Sequence, residues 1–219
     1  MDVLIYGLVN SAMLALFAVG FTLVYGISRL ANFAHGALYV LTGFVAWTFF
    51  EKLGLNYALS ILLALAITAI LGALIYHIFL VRVRSLEASE IIGSFAVGLV
   101  IMETLRWRGF IGHGFSIPVF IKGTVEISWV PVDYQRLIII GTGIVVVVFL
   151  WLFTHYTKTG LALRAIAQDE QAAMMLGMDS DRMATISLAM GSAFAGLAAC
   201  LVPARRAAQV DVVNVLKPE

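Results

Sequence analysis

Apolar residues run along this chain in long uncharged stretches, and the charges collect in the gaps between them. Val3 to Ser28 holds no Asp, Glu, Lys or Arg; Leu30 to Phe50 holds none and a single His35; Leu53 to Val81 holds none and a single His77. A helix needs about 20 mostly apolar residues to cross a hydrocarbon core roughly 30 Å thick. Each of these stretches is long enough, as are Leu137 to Tyr156 and Ala184 to Val202. Ile91 to Met102 is shorter and has to extend through Glu103 and Leu105. The pattern predicts an all-α fold, a polytopic transmembrane helix bundle of about six spans near 3–28, 30–50, 57–81, 91–105, 137–156 and 184–202. The first run has no positive residues before it and is too long for a signal-peptide core, so it is expected to stay as an anchor.

Two polar gaps are large enough to be soluble elements. Arg106 to Arg136 contains Gly109, Gly112, Gly114, Pro118 and Pro131 and an alternating stretch from Thr124 to Val130, which predicts a loop with a short hairpin or strand. Thr157 to Arg182 is rich in Ala, Leu, Met and charge, with few breakers, and reads as helical. Within it Asp169 stands at an N-cap position, Glu170 in the positive first turn, and Gly177 where a helix would stop. A helix of about two turns follows, with Ala172, Met175 and Leu176 on one face. So short a helix is marginal unless it packs on something. Its partner is either another chain or nothing, the segment then being a surface connector. Asp179 to Arg182 supplies caps for the next span.

Small residues recur at four-residue spacing in Gly7/Ser11/Ala15, Ser94/Gly98, Gly191/Ala195/Ala199 and Ser192/Gly196/Cys200, a pattern that lets helices approach closely in lipid. Arg29, Asn32 and His35 interrupt the apolar pattern before a span, with Gly36 beside them. Polar groups there are costly against lipid, and Gly36 allows the backbone to come close or break, as transporter helices do near their cargo. Asn32, His35 and Gly36 are translocation-path candidates; the alternative is that Asn32 and His35 cap the second helix or bridge it to a neighbour. His77 and His155, near helix ends, are expected at the interface, with Trp47, Trp107, Trp129 and Tyr156 as belt anchors.

Composition narrows the function. The 219 residues are 62% apolar and 12% charged, against about 25% charged in soluble domains, which excludes a water-soluble monomer and demands a lipid bilayer. A net charge of +1 offers no basic face for nucleic acid, and the single Cys200 excludes a disulfide framework or thiolate metal cage. The long spans lack Asp and Glu, which argues against an ion-coupled carrier, although that class stays open as an alternative. Glu103 reads as an interfacial carboxylate beside Arg106. No phosphate-cradling GxxxxGK[ST] loop and no HExxH occurs, His35, His77, His113 and His155 are scattered, and Ser187 and Ser192 lack a His or Lys in their own helix. No catalytic residue, metal site or enzyme activity is expected.

Glu170-Gln-Ala-Ala-Met-Met-Leu-Gly177 resembles the loop, EAA followed three residues later by Gly, through which permease subunits of bacterial ABC importers dock onto their ATPases. Gly20-Phe-Thr-Leu-Val-Tyr-Gly26, followed by Asn32-Phe-Ala-His-Gly36, resembles the N-terminal signature of the branched-chain amino-acid permease family. Thr159-Gly160, Arg164-Ala165, Leu176-Gly177 and Asp181-Arg182 match that family's loop pattern, so the resemblance runs from about Gly7 to Leu201. It implies a multi-pass subunit of the bacterial inner membrane, with a second permease subunit, two ATPase subunits that bind the ATP, and a periplasmic substrate-binding protein delivering branched-chain or similar small amino acids. It assigns ATPase coupling to Arg164, Asp169, Glu170, Ala172, Ala173, Leu176 and Gly177, and no cofactor to this chain.

The implied permease domain covers 1–202, with a coupling loop at 157–182. Residues 203–219 resemble instead the C-terminus of the lipoprotein-release and macrolide-exporter type of ABC permease, through Pro203-Ala-Arg-Arg-Ala-Ala208. A truncated or recombined chain is expected from this, and a non-transporting membrane protein is the alternative function. If the coupling loop is cytoplasmic, Arg29, Arg82, Arg84, Lys158, Arg164 and Arg182 fall inside. Lys52, Arg106, Arg108, Lys122, Arg136, Arg205, Arg206 and Lys217 fall outside, a distribution that does not follow the positive-inside rule.

Overall fold

The computed structural model describes residues 2–28, 32–83, 87–108, 124–127 and 130–201. Helix α1 (Asp2–Ser28) is followed by α2 (His35–Glu51) and α3 (Tyr57–Ile75), which runs on through a π-helical turn, Tyr76–Leu80, and a last turn, Val81–Val83. Then come α4 (Glu87–Trp107), a two-stranded antiparallel ribbon of β1 (Thr124–Ile127) and β2 (Val130–Asp133), and α5 (Tyr134–Tyr156). The chain closes with α6 (Lys158–Gln168), α7 (Glu170–Met175) and α8 (Ser180–Leu201). The expected hairpin is present, with Ile127 opposite Val130 and Thr124 opposite Asp133. The rest is an all-α bundle.

Among the described residues four helical segments are long and apolar enough to cross a membrane: Asn10–Ile27 of α1, Tyr57–Val83, Tyr134–Tyr156 and Ser180–Leu201. The other two expected runs are also helices, α2 of 17 residues and α4 of 21. Large apolar side chains point outward, such as Leu62, Ile70, Ile92, Val100, Val145 and Phe149, while Thr42, Ser60, Thr68, Ser94, Ser187 and Ser192 are buried. That inside-out distribution suits lipid as solvent, and the chain is a multi-pass membrane protein. The Thr42 and Thr68 hydroxyls meet at 2.8 Å between α2 and α3, and the carbonyls of Leu38 and Ala64, at 2.7 and 2.8 Å, are alternative acceptors for the same two protons.

The centre of the bundle is α8, against which α1, α2 and α3 pack. Its small-residue faces do what their spacing predicts. A Cβ on Gly191 would lie 2.7 Å from the Gly20 carbonyl oxygen, and one on Gly196 2.7 Å from the Thr42 methyl. Both are closer than side-chain atoms pack, so α8 admits only hydrogen at these positions. The expected pair Ser94/Gly98 is likewise buried, where α4 meets the start of α2. Gly7 and Ala15 are different: both are exposed.

The last carbonyls of α8 have no partner within their own helix, and side chains from two other helices reach them. Tyr57 of α3 donates to the Cys200 carbonyl at 3.0 Å, and the buried Gln135 of α5 to that of Leu201 at 2.8 Å. At the opposite end Tyr76 of the π-helical turn, fully buried, donates to Asp181 at 2.6 Å, and its ring packs with Val24, Ala184 and Leu188. Arg82 donates to the carbonyls of His77 and Ile78, which the wide π turn leaves available. Arg82, Lys158, Arg164 and Arg182 therefore share one end of the bundle, the grouping expected if they lie on the side of the 157–182 loop. Arg29 and Arg84, His113 and Trp129, and residues 203–219 lie outside the described residues.

Candidate functional site

Two places carry the polar residues singled out by the sequence. The first is the hairpin that α6, α7 and the start of α8 form at one end of the bundle. Thr157 caps α6, accepting from the Gly160 backbone N–H at 2.9 Å. Gly160 presses so closely on the last turn of α5 that a Cβ there would lie 2.6 Å from the Thr154 Cα. Leu163 and Ile166 bury the inner face of α6.

Asp169 then breaks the helix with an extended backbone, φ −148° and ψ 103°, and its carboxylate accepts from the Ala172 N–H at 3.0 Å. At the far end Gly177 takes φ +84°, in the left-handed region that favours glycine. Its N–H donates to the Met174 carbonyl at 2.9 Å, and the Met178 N–H to that of Ala173 at 3.1 Å. This paired closure is a Schellman motif. A helix of six residues is thereby held by caps at both ends, each contributing on the order of 1 kcal/mol.

The two faces of α7 differ. Ala173 is buried against the bundle, while Met175 is 88% and Leu176 79% exposed, with Met174 and Ala172 exposed beside them. The expected apolar ridge is present and points away from the protein. Glu170 does not: it accepts a hydrogen bond from Ser180 and so ties the start of α7 to the start of α8. Asp179 caps α8, accepting from the Arg182 N–H at 3.0 Å. Arg164 lies apart from the ridge, on the outer face of α6, beside a groove formed with α1 and α5.

The second place is the link into α2. Ala34 is fully buried, and Asn32 and His35 are 1% and 2% exposed. The His35 ring lies 4.8 Å from that of Phe17, and its Nε2 is 3.4 Å from the Phe17 carbonyl oxygen. Phe17 is eleven residues before the end of α1, or ~16 Å along a helix axis. Helix α2 thus starts well inside the bundle, beside the middle of α1. This is why α2 has 17 residues and begins at His35 instead of near position 30.

The turn is held by Asn32 Oδ1 accepting from the Ala34 N–H at 3.1 Å and by Ser94 of α4 accepting from the Phe33 N–H at 3.1 Å. Two buried polar atoms, Asn32 Nδ2 and His35 Nδ1, have no hydrogen-bond partner among the described residues. Such atoms cost on the order of 1–3 kcal/mol each. The close backbone approach anticipated at Gly36 is found elsewhere. Gly36 is exposed and a Cβ there would meet nothing within 4 Å, whereas one on Gly98 would lie 3.4 Å from the Ala34 Cα, and one on Gly20 3.1 Å from the His35 ring.

Other candidates resolve more simply. Glu103 pairs with Arg106 at 3.5 Å on the surface, with both side chains about two-thirds exposed (68% and 67%), the expected interfacial pair. His155 is exposed and bonded to the Trp151 carbonyl, and His77 is exposed near Thr185. No group of metal-ligating side chains occurs among the described residues. Tyr76 escaped notice in the sequence, and Ser94 drew it only as a small packing residue, since a serine or tyrosine inside an apolar run carries no signal of the backbone or carboxylate it will bond.

A family model described as branched-chain amino acid transport system / permease component matches residues 3–215, including most of the segment 203–219. The chain is similar to the high-affinity branched-chain amino acid transport system permease protein BraD of Pseudomonas aeruginosa, at 28% identity over 212 residues, covering 91% of this chain and 69% of that protein. It is also similar to the probable branched-chain amino acid transport permease protein LivH of Methanocaldococcus jannaschii, at 27% identity, covering 90% of this chain and 64% of that one. The corresponding high-affinity permease protein LivH of Salmonella typhimurium is 26% identical, with 86% and 65% covered. The chain therefore spans about two thirds of the length of these relatives. No solved structure matches it.

Proposed function

The chain belongs to the branched-chain amino-acid permease family, and from that premise we propose that it is a membrane-spanning subunit of an ATP-driven importer for branched-chain or similar small amino acids. It sits in the bacterial inner membrane, pairs with a second permease subunit, and receives substrate from a periplasmic binding protein. ATP is bound and hydrolysed by two partner ATPase subunits, onto which α7 docks. Arg164, Asp169, Glu170, Ala172, Ala173, Leu176 and Gly177 belong to this coupling element, Asn32 and His35 to the pathway, with Gly36 beside them.

The observation that carries the reading is the exposed ridge of α7. Met175 and Leu176 stand out on a helix whose other face is anchored by Ala173 and whose ends are locked by Asp169 and Gly177. A ridge held this rigidly transmits a push instead of absorbing it. Glu170–Ser180 and Tyr76–Asp181 give the push a path into α8 and α3. Motion then follows only if the docked ATPases contact α7 differently in their open and closed states.

The chain is tested by co-expression with its candidate ATPases and affinity pull-down. Met175→Glu and Leu176→Glu leave the caps and Ala173 intact and are expected to lower ATPase recovery about ten-fold or more, as loss of a central apolar anchor does. Glu170→Arg and Gly177→Pro should also abolish it, by displacing the whole helix. Full recovery with both Met175→Glu and Leu176→Glu overturns the docking assignment.

A further inference from the structure

A groove of about 590 Å³ runs between α1, α5 and α6 at the end of the bundle that carries α7. Its walls are apolar, with Ala18, Val19, Leu23 and Ile27 on α1 and Val147 and Leu150 on α5. One cation lies on its rim. Arg164 is exposed on α6, and the described residues give it no hydrogen bond or ion pair. We propose that this groove holds one anionic phospholipid, its phosphate on Arg164 and an acyl chain laid along α1 and α5.

Three features select this occupant. Guanidinium pairs with phosphate through two parallel hydrogen bonds, and Arg reaches headgroup level while its stem stays on apolar surface. From Ala15 to Ile27 the α1 wall rises ~18 Å, close to the ~15 Å that one leaflet contributes to a 30 Å core. Trp151, half exposed at the rim, is an interfacial residue type. A second hollow of about 290 Å³ continues the seam past Ala15 and Val19 without any charged residue, so a headgroup has a partner at one end only. Arg164 is shared with the coupling element, but the apolar walls on α1 and α5 lie apart from the α7 ridge, so lipid labelling and ATPase recovery are read separately.

The full chain is reconstituted in nanodiscs containing phosphatidylglycerol with a photoreactive acyl chain, or phosphatidylcholine with the same chain, and the adducts are mapped by mass spectrometry. Phosphatidylglycerol should label the segments 18–27 and 147–154 in preference to phosphatidylcholine. Arg164→Gln should reduce that labelling about five-fold, the usual effect of one cation at an anionic surface, and Arg164→Lys should retain most of it. Ala18→Phe should fill the groove and remove adducts of both lipids. Both positions are exposed, and thermal unfolding checks that neither substitution disturbs the fold. Equal labelling by the two lipids that Arg164→Gln leaves unchanged overturns the proposal. So does absence of adducts together with a Thr22→Cys cross-link to a second copy, since a protein helix would then fill the groove.

Discussion

Helices α5 and α8 are nearly equal in length, 23 and 22 residues, and both are apolar enough to span a membrane. Their places in the molecule are opposite. α8 is enclosed by α1, α2 and α3, whereas α5 shows Ile144, Val145, Val147, Val148 and Phe149 to the outside. Where solvent and interior are both apolar, hydrophobicity cannot sort helices into inner and outer positions. Side-chain size does so instead. Gly191, Ser192, Ala195, Gly196 and Ala199 let three helices approach α8, and the branched and aromatic residues of α5 keep neighbours away and meet lipid.

The largest effect that sharpens this contrast is steric. Gly191→Leu in α8 drives a side chain into the Gly20 backbone and the Val24 side chain, and it is expected to cost several kcal/mol, at or above the usual ~1–3 for overpacking. The readout is loss of the monodisperse gel-filtration peak. Gly141→Leu in α5, where a Cβ meets nothing within 4 Å, should leave that peak intact. Equal behaviour of the two variants breaks the comparison.

A smaller effect comes from the end of α8. Gln135→Leu removes the donor to the Leu201 carbonyl, and leaving that acceptor unpaired should cost about 1–3 kcal/mol, read as a lower midpoint of thermal unfolding. An unchanged midpoint would mean that α8 does not depend on α5 for its closure. The smallest effect concerns Ser192, whose buried hydroxyl has no hydrogen-bond partner among the described residues. Ser192→Ala removes an unsatisfied group and should change stability by less than about 0.5 kcal/mol or raise it. A loss above ~1 kcal/mol would show that the hydroxyl is bonded.

Much of the α6–α7 hairpin was legible beforehand, because its chemistry is local. Asp169, Gly177 and Asp179 act on backbone groups within a few residues, so their caps follow from sequence spacing alone. The small-residue faces of α8 announced close approach, but the spacing does not say to which helix. The link at Asn32 to His35 was legible as polar and out of place, yet a span from 30 to 50 put it at the membrane surface. Its depth depends on α1 and on Ser94 of α4, 61 residues away from Phe33. Gly36 attracted attention as a glycine beside that link, and only packing shows that Gly20 and Gly98 make the close contacts. The π turn at Tyr76–Leu80 had no forerunner in the pattern of residues.

By itself the sequence determined that this is a helical membrane protein with a short capped helix outside its spans, because charge-free length and capping chemistry are properties of contiguous residues. Its motifs also carried the family. Only the tertiary structure decided which apolar helix is central, where the polar link lies, that Glu170 faces inward while Met175 and Leu176 face out, and that Arg164 borders an apolar groove. Those outcomes depend on packing between separate elements, in some cases across more than a hundred residues, as with Gly20 and Gly191. No local pattern encodes which of several similar surfaces will be the partner.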